Sequence, residues 1–522
     1  MGRQTVRLDP DVHWPPMEKA FLSQNAPIKE GGVREVRTWL VSLIWMSVVT
    51  GSAMGRTADT LWMRTYVDTT ISESSSGYGI TVDNAGNLIV TGFPSTLAYD
   101  SAGNLKWATP VDGFRIAGDS QNNIAVTKCL GLDYDGDFLT SKLDSAGNTQ
   151  WQRIYNGDAD TIDSPYDICF DGEGNICVTG YTYSPANDFD FATVKYSPAG
   201  VEMWSRTVNG PFSGQDIAYA VVTDAAGNVM VSGESSGAAM TVKYSPSGDM
   251  LWLRRYTGPV GSWGADSRGM AIDGMGNIYV IGYIFWSSTN NDIVLVKYNP
   301  AGDTLWTRLY DGPANGIDFG LHVVVDKQGN IYASGTSEGI NTDYDFVTMK
   351  YLSNGDRTWV ARFSASSGSD WPVEVVANDY GDVFVTGSYK GDDAQQHIVT
   401  IQYFFDGTEA WHAYLDGPGS FIDVPWDVAV DLQGNPCVTG SLSDGDYGSK
   451  CVTVKYQRGA ICGDASGEGA VNISDAVYLI NYIFAGGPAP NPLLAGDADC
   501  TGAVSISDAV YLINYIFAGG PA

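Results

Sequence analysis

The sequence predicts a mostly-β chain, an eight-bladed β-propeller with seven blades as the alternative, followed by a small all-α module of two loop–helix repeats. Three observations carry this expectation. A Trp recurs eight times at intervals of 44 to 54 residues. Each unit also holds a D-x-x-G-N turn, or a close variant, followed by an alternating apolar run. The last 60 residues contain a close internal duplication. Short alternating strands repeated at such a period mark radial β-architectures.

Composition agrees with this class. The chain has 522 residues, enough for more than one domain. Asp plus Glu number 60 against 29 Lys plus Arg, a formal net charge of −31. That acidity disfavours nucleic acid and anionic membranes as partners and suits divalent cations. Charged residues are only 17%, with 62 Gly, 29 Tyr and 15 Trp, which is not a disordered composition. Abundant Gly and aromatics suit short strands joined by tight turns. The seven Cys, at 129, 169, 177, 437, 451, 462 and 500, include no C-x-x-C pair. They make neither a disulfide-dense scaffold nor a zinc site.

At the N-terminus, Arg34 and Arg37 precede the apolar run Trp39–Val49, and Gly51, Ser52, Ala53 and Gly55 follow. A basic stretch, an apolar stretch and small residues together read as a bacterial signal peptide over 33–55, cleaved near Ala53 to Gly55. The 11-residue run is too short to span a bilayer comfortably, so no stable membrane insertion is expected. Residues 1–32 read as a non-native upstream extension, with Val33 as the start. The mature chain is then secreted or cell-surface associated. It divides into a propeller over 56–456, a short linker over 457–462 and a module over 463–522.

The repeat elements follow in order. Trp stands at 62, 107, 151, 204, 252, 306, 359 and 411. The D-x-x-G-N turns run Asp83–Asn87, Asp171–Asn175, Asp224–Asn228, Asp273–Asn277, Asp326–Asn330 and Asp431–Asn435. The second unit keeps Asp119 and Asn123 around Asn122; the seventh inverts the pair as Asn378 and Asp382. Asp caps such a turn and Gly or Asn takes the positive φ, which predicts a hairpin. Each unit then closes on T-x-K-Y, as at Thr193–Tyr196, Thr241–Tyr244, Thr348–Tyr351 and Thr453–Tyr456, or on a variant such as Leu295–Tyr298. A turn such as Ser197–Gly200 leads to the next Trp, giving four short strands per unit. The short, irregular unit from Trp107 to Gln150 is the source of the seven-bladed alternative. With units running from Trp62 to Tyr456, the ring is expected to close without borrowing a strand from the far terminus.

This pattern resembles the secreted bacterial β-propeller (SBBP) repeats and, loosely, the NHL-type propellers. The resemblance implies a fold and leaves function open. The eight Trp are expected to pack between blades, and the Lys of K-Y to snorkel or pair with a nearby Asp. The variable loops Asn187–Asp190, Asn291–Asp292 and Thr342–Asp345 are the first places to seek a carbohydrate or protein ligand. His13, His322, His397 and His412 share no ligand spacing. No H-E-x-x-H, G-x-S-x-G or P-loop motif occurs. The propeller therefore reads as a non-catalytic binding domain with no catalytic residue assigned. A pair of facing carboxylates for glycoside chemistry stays open as the alternative.

The C-terminal duplication carries the most specific chemistry. Two 12-residue loops, Asp464–Asp475 and Asp497–Asp508, are offset by 33 residues. Oxygen-bearing side chains fall at positions 1, 3, 5, 9 and 12 of each loop. They are Asp464, Ser466, Glu468, Asn472 and Asp475, then Asp497, Asp499, Thr501, Ser505 and Asp508. Gly469 and Gly502 hold position 6, and the carbonyls of Ala470 and Ala503 fall at position 7. That spacing suits a hard cation wanting six or seven oxygens, so two Ca2+ ions are expected.

The arrangement resembles the type I dockerin. Unlike an EF-hand, it lacks an entering helix and has Asp rather than Glu at position 12. Ser466, Thr501 and Ser505 stand where Asp or Asn is commoner in the family, which weakens the ligand set. The resemblance implies a cohesin-like partner, met through Ile473, Ser474, Ile480 and Asn481 or through Ile506, Ser507, Ile513 and Asn514. The run Ala476–Ala485 is apolar except for Asn481, more than a two-helix core needs, so an exposed apolar patch is expected. The alternative is that this patch packs on the chain's own propeller. Module symmetry makes Cys462 and Cys500 a possible disulfide, with Cys169 and Cys177 a weaker candidate. Two other readings remain open: a polysaccharide-active enzyme serving polysaccharide catabolism, and a module that acts as an assembly or sorting tag.

Overall fold

Each unit folds as a four-stranded antiparallel sheet because its turns close on themselves. Asp83 is representative: its Oδ1 accepts from the N–H groups of Ala85 and Asn87, and its Oδ2 from Asn87 Nδ2. Gly86 takes φ +77°, and in the second unit Asn122 takes that role at φ +63°. The inverted pair makes the same bonds with exchanged roles, Asn378 Oδ1 accepting from the N–H groups of Tyr380 and Asp382. The computed structural model describes residues 58–68, 74–131, 136–157, 162–184, 188–211, 214–287, 290–365, 368–391, 393, 395–418, 422–444, 448–459, 463–466, 471–490, 493–498 and 504–518. The proposed extension and signal peptide lie outside them.

Eight four-stranded sheets form the propeller. Blade one is Ser76–Val82, Leu88–Phe93, Thr96–Tyr99 and Leu105–Thr109, and the later blades follow in chain order. The first strand of each blade touches the first strands of its neighbours and so lines the channel; the Trp strand is outermost. The irregular unit is a complete blade of Arg115–Gly118, Ile124–Leu130, Asp137–Leu143 and Thr149–Tyr155, so the seven-bladed alternative falls.

Ring closure departs from the sequence expectation. Strand β1 (Thr60–Tyr66), which carries Trp62, is the outer strand of blade eight and pairs antiparallel with Ser449–Tyr456. The two ends of the propeller chain therefore meet inside one sheet. Counting units from each Trp divides the ring before the outer strand, whereas the sheets divide after it. Backbone pairing within blade eight ties the two ends of the propeller chain together. Residues 457–459 complete this seam. Gln457 N donates to Asp59 O at 2.7 Å, Arg458 N to Asn435 Oδ1 at 3.0 Å and Gly459 N to Gln402 Oε1 at 2.6 Å.

Apolar cores lie between blades. One gathers Cys177, Phe191, Trp204, Val221, Val231 and Tyr244 from blades three and four. The repeated Trp does pack between blades. Trp151 Nε1 donates to Pro198 O of the next blade, and Trp204, Trp252, Trp306 and Trp359 repeat the bond to Pro246, Pro300, Ser353 and Phe405. Arg153 lies 5.7 Å from the centroid of the Trp151 ring and donates to Gly200 O. A Cβ at Gly200 would sit 2.7 Å from that ring. Ring faces engaged this way leave no array for sugar stacking. The Lys of K-Y pairs with the turn Asp: Lys195–Asp171 at 2.8 Å, Lys243–Asp224 at 2.9 Å and Lys455–Asp431 at 2.5 Å.

The C-terminal module has helices α1 (Ile473–Ala485) and α2 (Ile506–Ala518). Its core is its own: Ala465, Ala476, Leu479, Ala498, Ala509 and Leu512 are buried together.

Candidate functional site: the C-terminal loops and helices

The first loop turns into α1 through a capping box. Asn472 Oδ1 accepts from Ser474 N at 2.7 Å, and Asp475 Oδ2 accepts from Asn472 N at 2.8 Å. Asp475 Oδ1 takes Ser466 N at 2.9 Å and Ser466 Oγ at 2.8 Å, joining loop positions 3 and 12. The second loop repeats the cap, with Ser505 N donating to Asp508 Oδ2 at 2.7 Å. Gly463 N donates to Ala495 O at 2.9 Å, tying the start of one loop to the segment before the other. These bonds bring together Ser466, Asn472 and Asp475 in one copy, and Ser505 and Asp508 in the other. Glu468, Ala470, Asp499, Thr501, Ala503, Cys462 and Cys500 lie outside the described residues.

The donor set suits a hard cation. Asp464, Asp475, Asp497 and Asp508 are all buried. The 60 residues of 463–522 hold six carboxylate side chains and no Lys, Arg or His. Buried carboxylates with no cationic side chain in their own module need charge from outside it. An oxygen-only set with mixed side chains matches Ca2+ rather than a softer metal.

The helices carry two apolar stripes each. Ala476, Leu479 and Ile483 face the module core. Ile473, Val477, Ile480 and Phe484, spaced i, i+4, i+7 and i+11, are exposed, Phe484 at 67%. In α2, Ile506, Val510, Ile513 and Phe517 repeat the stripe, Phe517 at 70%. The expected contact residues Ser474, Asn481, Ser507 and Asn514 are exposed as well. The stripe is open to solvent, which departs from the alternative of packing on the propeller. Val477, Phe484, Val510 and Phe517 were not among the sequence candidates. The i, i+4, i+7, i+11 spacing was the signal for them.

The propeller's channel presents a different chemistry. Asp167, Glu374 and Asp427 sit at bulges of the inner strands. Asp167 accepts from the N–H groups of Ile168 and Val221, and Asp427 from those of Val428 and Ile80. Each of these two carboxylates thus holds its own bulge and the next blade's inner strand. Burial pushes Asp167 up to about 6, and burial with repulsion from Glu374 pushes Asp427 up to about 7. His322 lies 3.3 Å from Glu374. Of the sequence's weaker disulfide candidates, Cys169 and Cys177 are free thiols opposite one another in register.

Residues 462–517 match the family model of the dockerin type I domain. An uncharacterized WD repeat-containing protein of Acanthamoeba polyphaga mimivirus is 22% identical over 477 residues, with 73% of this chain and 31% of that protein covered. The chain therefore spans about a third of the length of that relative. A solved protein from Lactobacillus plantarum is 14% identical with a TM-score of 0.42, covering 66% of this chain and 99% of its own. One of unknown function from Dyadobacter fermentans is 11% identical with a TM-score of 0.39, covering 76% and 98%. Dockerin domains occur in extracellular proteins, bind calcium and have cohesin-type partners. Among the described residues no helix is long and apolar enough to cross a membrane. The chain is an eight-bladed β-propeller that carries a type I dockerin domain at residues 462–517.

Proposed function

We propose that this protein is an extracellular, non-catalytic binding or scaffold-associated protein, held on a cohesin-type partner by its dockerin module in a calcium-dependent way. The duplicated exposed stripe on α1 and α2 carries the reading, since an apolar surface of this kind is normally covered by a partner. Two Ca2+ ions are bound by Asp464, Ser466, Glu468, Asn472 and Asp475 with the Ala470 carbonyl, and by Asp497, Asp499, Thr501, Ser505 and Asp508 with the Ala503 carbonyl. When bound, the ions supply positive charge that no side chain of residues 463–522 provides. Asp475 and Asp508 then fix the start of each helix relative to its loop, which orients Ile473, Ser474, Ile480 and Asn481 and their counterparts. In this reading residues 33–55 direct secretion, and the propeller meets a carbohydrate or protein ligand through its variable loops.

The near-identity of the two helices lets either copy face the partner. The full chain, passed over an immobilised type I cohesin domain, should bind in Ca2+ and release in chelator. Asp464→Ala with Asp497→Ala should abolish capture. Ile480→Asp alone should weaken it little, whereas Ile480→Asp with Ile513→Asp should cost about 2 kcal/mol or more, as at buried interface anchors. Capture that survives chelator and both double variants would sink the docking reading.

A further inference from the structure

The propeller has two unlike ends. In a four-stranded antiparallel blade, the first and third turns lie at one end; the second loop and the link to the next blade lie at the other. The D-x-x-G-N turns occupy the first end. At the second end, three positions come together where neighbouring blades meet. These are the start of the third strand, the residue after the Trp strand and the residue at or just before the start of the next blade's first strand.

At the junction of blades five and six these positions are Asp292, Asp311 and Asp318, and one side-chain oxygen of each lies within 4.8 Å of the others. Two oxygens bound to one Ca2+ at about 2.4 Å can be no more than about 4.8 Å apart, so the spacing is that of a shared ion. Asp292 is 8% exposed and Asp318 0%. In each, one carboxylate oxygen is engaged. Trp286 Nε1 donates to Asp292 Oδ2 at 2.7 Å, and Gly312 N to Asp318 Oδ2 at 2.5 Å. The other, Oδ1 of Asp292 and Oδ1 of Asp318, is buried with no hydrogen-bond partner. Asn290 lies two residues before Asp292, on the same face of the strand, and its Oδ1 is also buried without a partner.

The other junctions provide an internal comparison. Between blades six and seven the three positions are Asp345, Ser364 and Asp370, and Arg362 reaches Asp345 at 2.8 Å. Between blades seven and eight they are His397, Asp416 and Asp423, and His397 bridges Asp416 at 3.0 Å and Asp393 at 3.1 Å. Asp112, the counterpart of Asp311 in blade one, meets Lys128 at 2.6 Å. Arg362 and Lys128 are fixed cations at these junctions, and His397 becomes one when protonated. In blade five the position of Arg362 is Leu309 and that of His397 is Asp292 itself. Among the described residues, no ion pair reaches Asp292, Asp311 or Asp318.

We propose that Asp292, Asp311 and Asp318 form a Ca2+ site on the loop end of the propeller, at the junction of blades five and six. The ligand atoms are all oxygens, which selects a hard cation. The irregular mixture of two residues at strand starts and one loop residue suits the flexible coordination of Ca2+ better than the octahedral demand of Mg2+. The ion would pin three chain segments from two blades and would include Asp292 of the Asn291–Asp292 stretch singled out as a ligand-contact region, which the structure places at the start of a strand. The site is independent of the dockerin loops.

The test separates it from them. In the full chain, Asp464→Ala and Asp497→Ala silence the module. Tb3+ is then added and Trp is excited at the red edge of its absorption, where Tyr does not absorb. Trp286, bonded to Asp292, should sensitise Tb3+ emission, and Ca2+ should quench that emission by displacement. Adding Asp311→Asn, a change at an exposed residue, should lower Ca2+ affinity about tenfold or more and remove most of the emission. Asp416→Asn at the His397 junction should leave both unchanged. Trp286→Phe should remove the emission while equilibrium dialysis still finds the bound Ca2+. No bound Ca2+ in the silenced chain, or Ca2+ binding indifferent to Asp311→Asn, overturns the proposal. So does a silenced chain that binds no Ca2+ and is stabilised by Asp311→Asn, because the three carboxylates would then be sharing protons.

Discussion

Replacing Asp171 by Ala should remove a large fraction of the propeller's stability. The side chains of Asp171 and Lys195 are each 1% exposed and lie 2.8 Å apart. Asp171 Oδ1 also accepts from the N–H groups of Glu173 and Asn175, and Oδ2 accepts from Asn175 Nδ2. Without the carboxylate, the Lys195 ammonium keeps the carbonyl of Gly227, at 3.2 Å, as its recorded acceptor. Breaking a buried pair from one side costs roughly 3–5 kcal/mol, because the remaining charge stays desolvated. Folded domains hold only about 5–15 kcal/mol in total. Asp171→Ala with Lys195→Met removes the orphaned charge and should cost less than Asp171→Ala alone, leaving mainly the lost turn bonds, about 1 kcal/mol each. Residues 463–522 contain no Trp, so Trp fluorescence during urea unfolding reports on the propeller. The reasoning fails if Asp171→Ala costs under about 1 kcal/mol, or if the double variant is as unstable as the single one.

Two further outcomes follow from the same geometry. Gly200→Ala puts a Cβ 2.7 Å from the Trp151 ring at a residue with φ +76°, and should cost about 1–3 kcal/mol by thermal melting. Gly172→Ala meets nothing within 4 Å and should be neutral to within about 0.5 kcal/mol. The second outcome concerns pH. Burial raises Asp370 to about 7, and burial with repulsion from Glu374 raises Asp427 to about 7. An acid whose folded value is raised binds its proton more tightly when folded. The stability it contributes is complete below the unfolded value of about 3.9 and is lost as pH rises through about 7. Chelated protein should therefore melt lower at about pH 8 than at about pH 5, and Asp370→Asn with Asp427→Asn should flatten that slope. Asp171 works in the opposite sense, held below its usual range because Lys195 and Asn175 outweigh burial, so its contribution is lost toward acid pH.

The propeller was legible because each signal is local and repeated. An Asp that bonds the N–H groups two and four residues ahead makes a turn by itself, and alternation around it makes two strands. The dockerin module was legible for the same reason, since each of its duplicated loops lies within 12 consecutive residues. Helical spacing also implied surplus apolar surface on α1 and α2. Its division into a core stripe at Ala476, Leu479 and Ile483 and an open stripe ending at Phe484 needed the pair of helices, because packing decides which face is covered.

What sequence order concealed was contact between distant segments. Strand β1 looks like the start of a first unit, and only pairing with Ser449–Tyr456 makes it the outer strand of the last blade. Asp292, Asp311 and Asp318 stand 19 and 7 residues apart with no motif spacing. They meet because the start of one blade's third strand and the link to the next blade lie at the same end of a closed ring. Whether such a group carries its own cation depends on the residues the ring places opposite it: Arg362 at one junction, His397 at another, and Leu309 at this one. Local hydrogen bonding and periodicity are properties of a short stretch of chain. Charge compensation across blades is a property of the assembled ring.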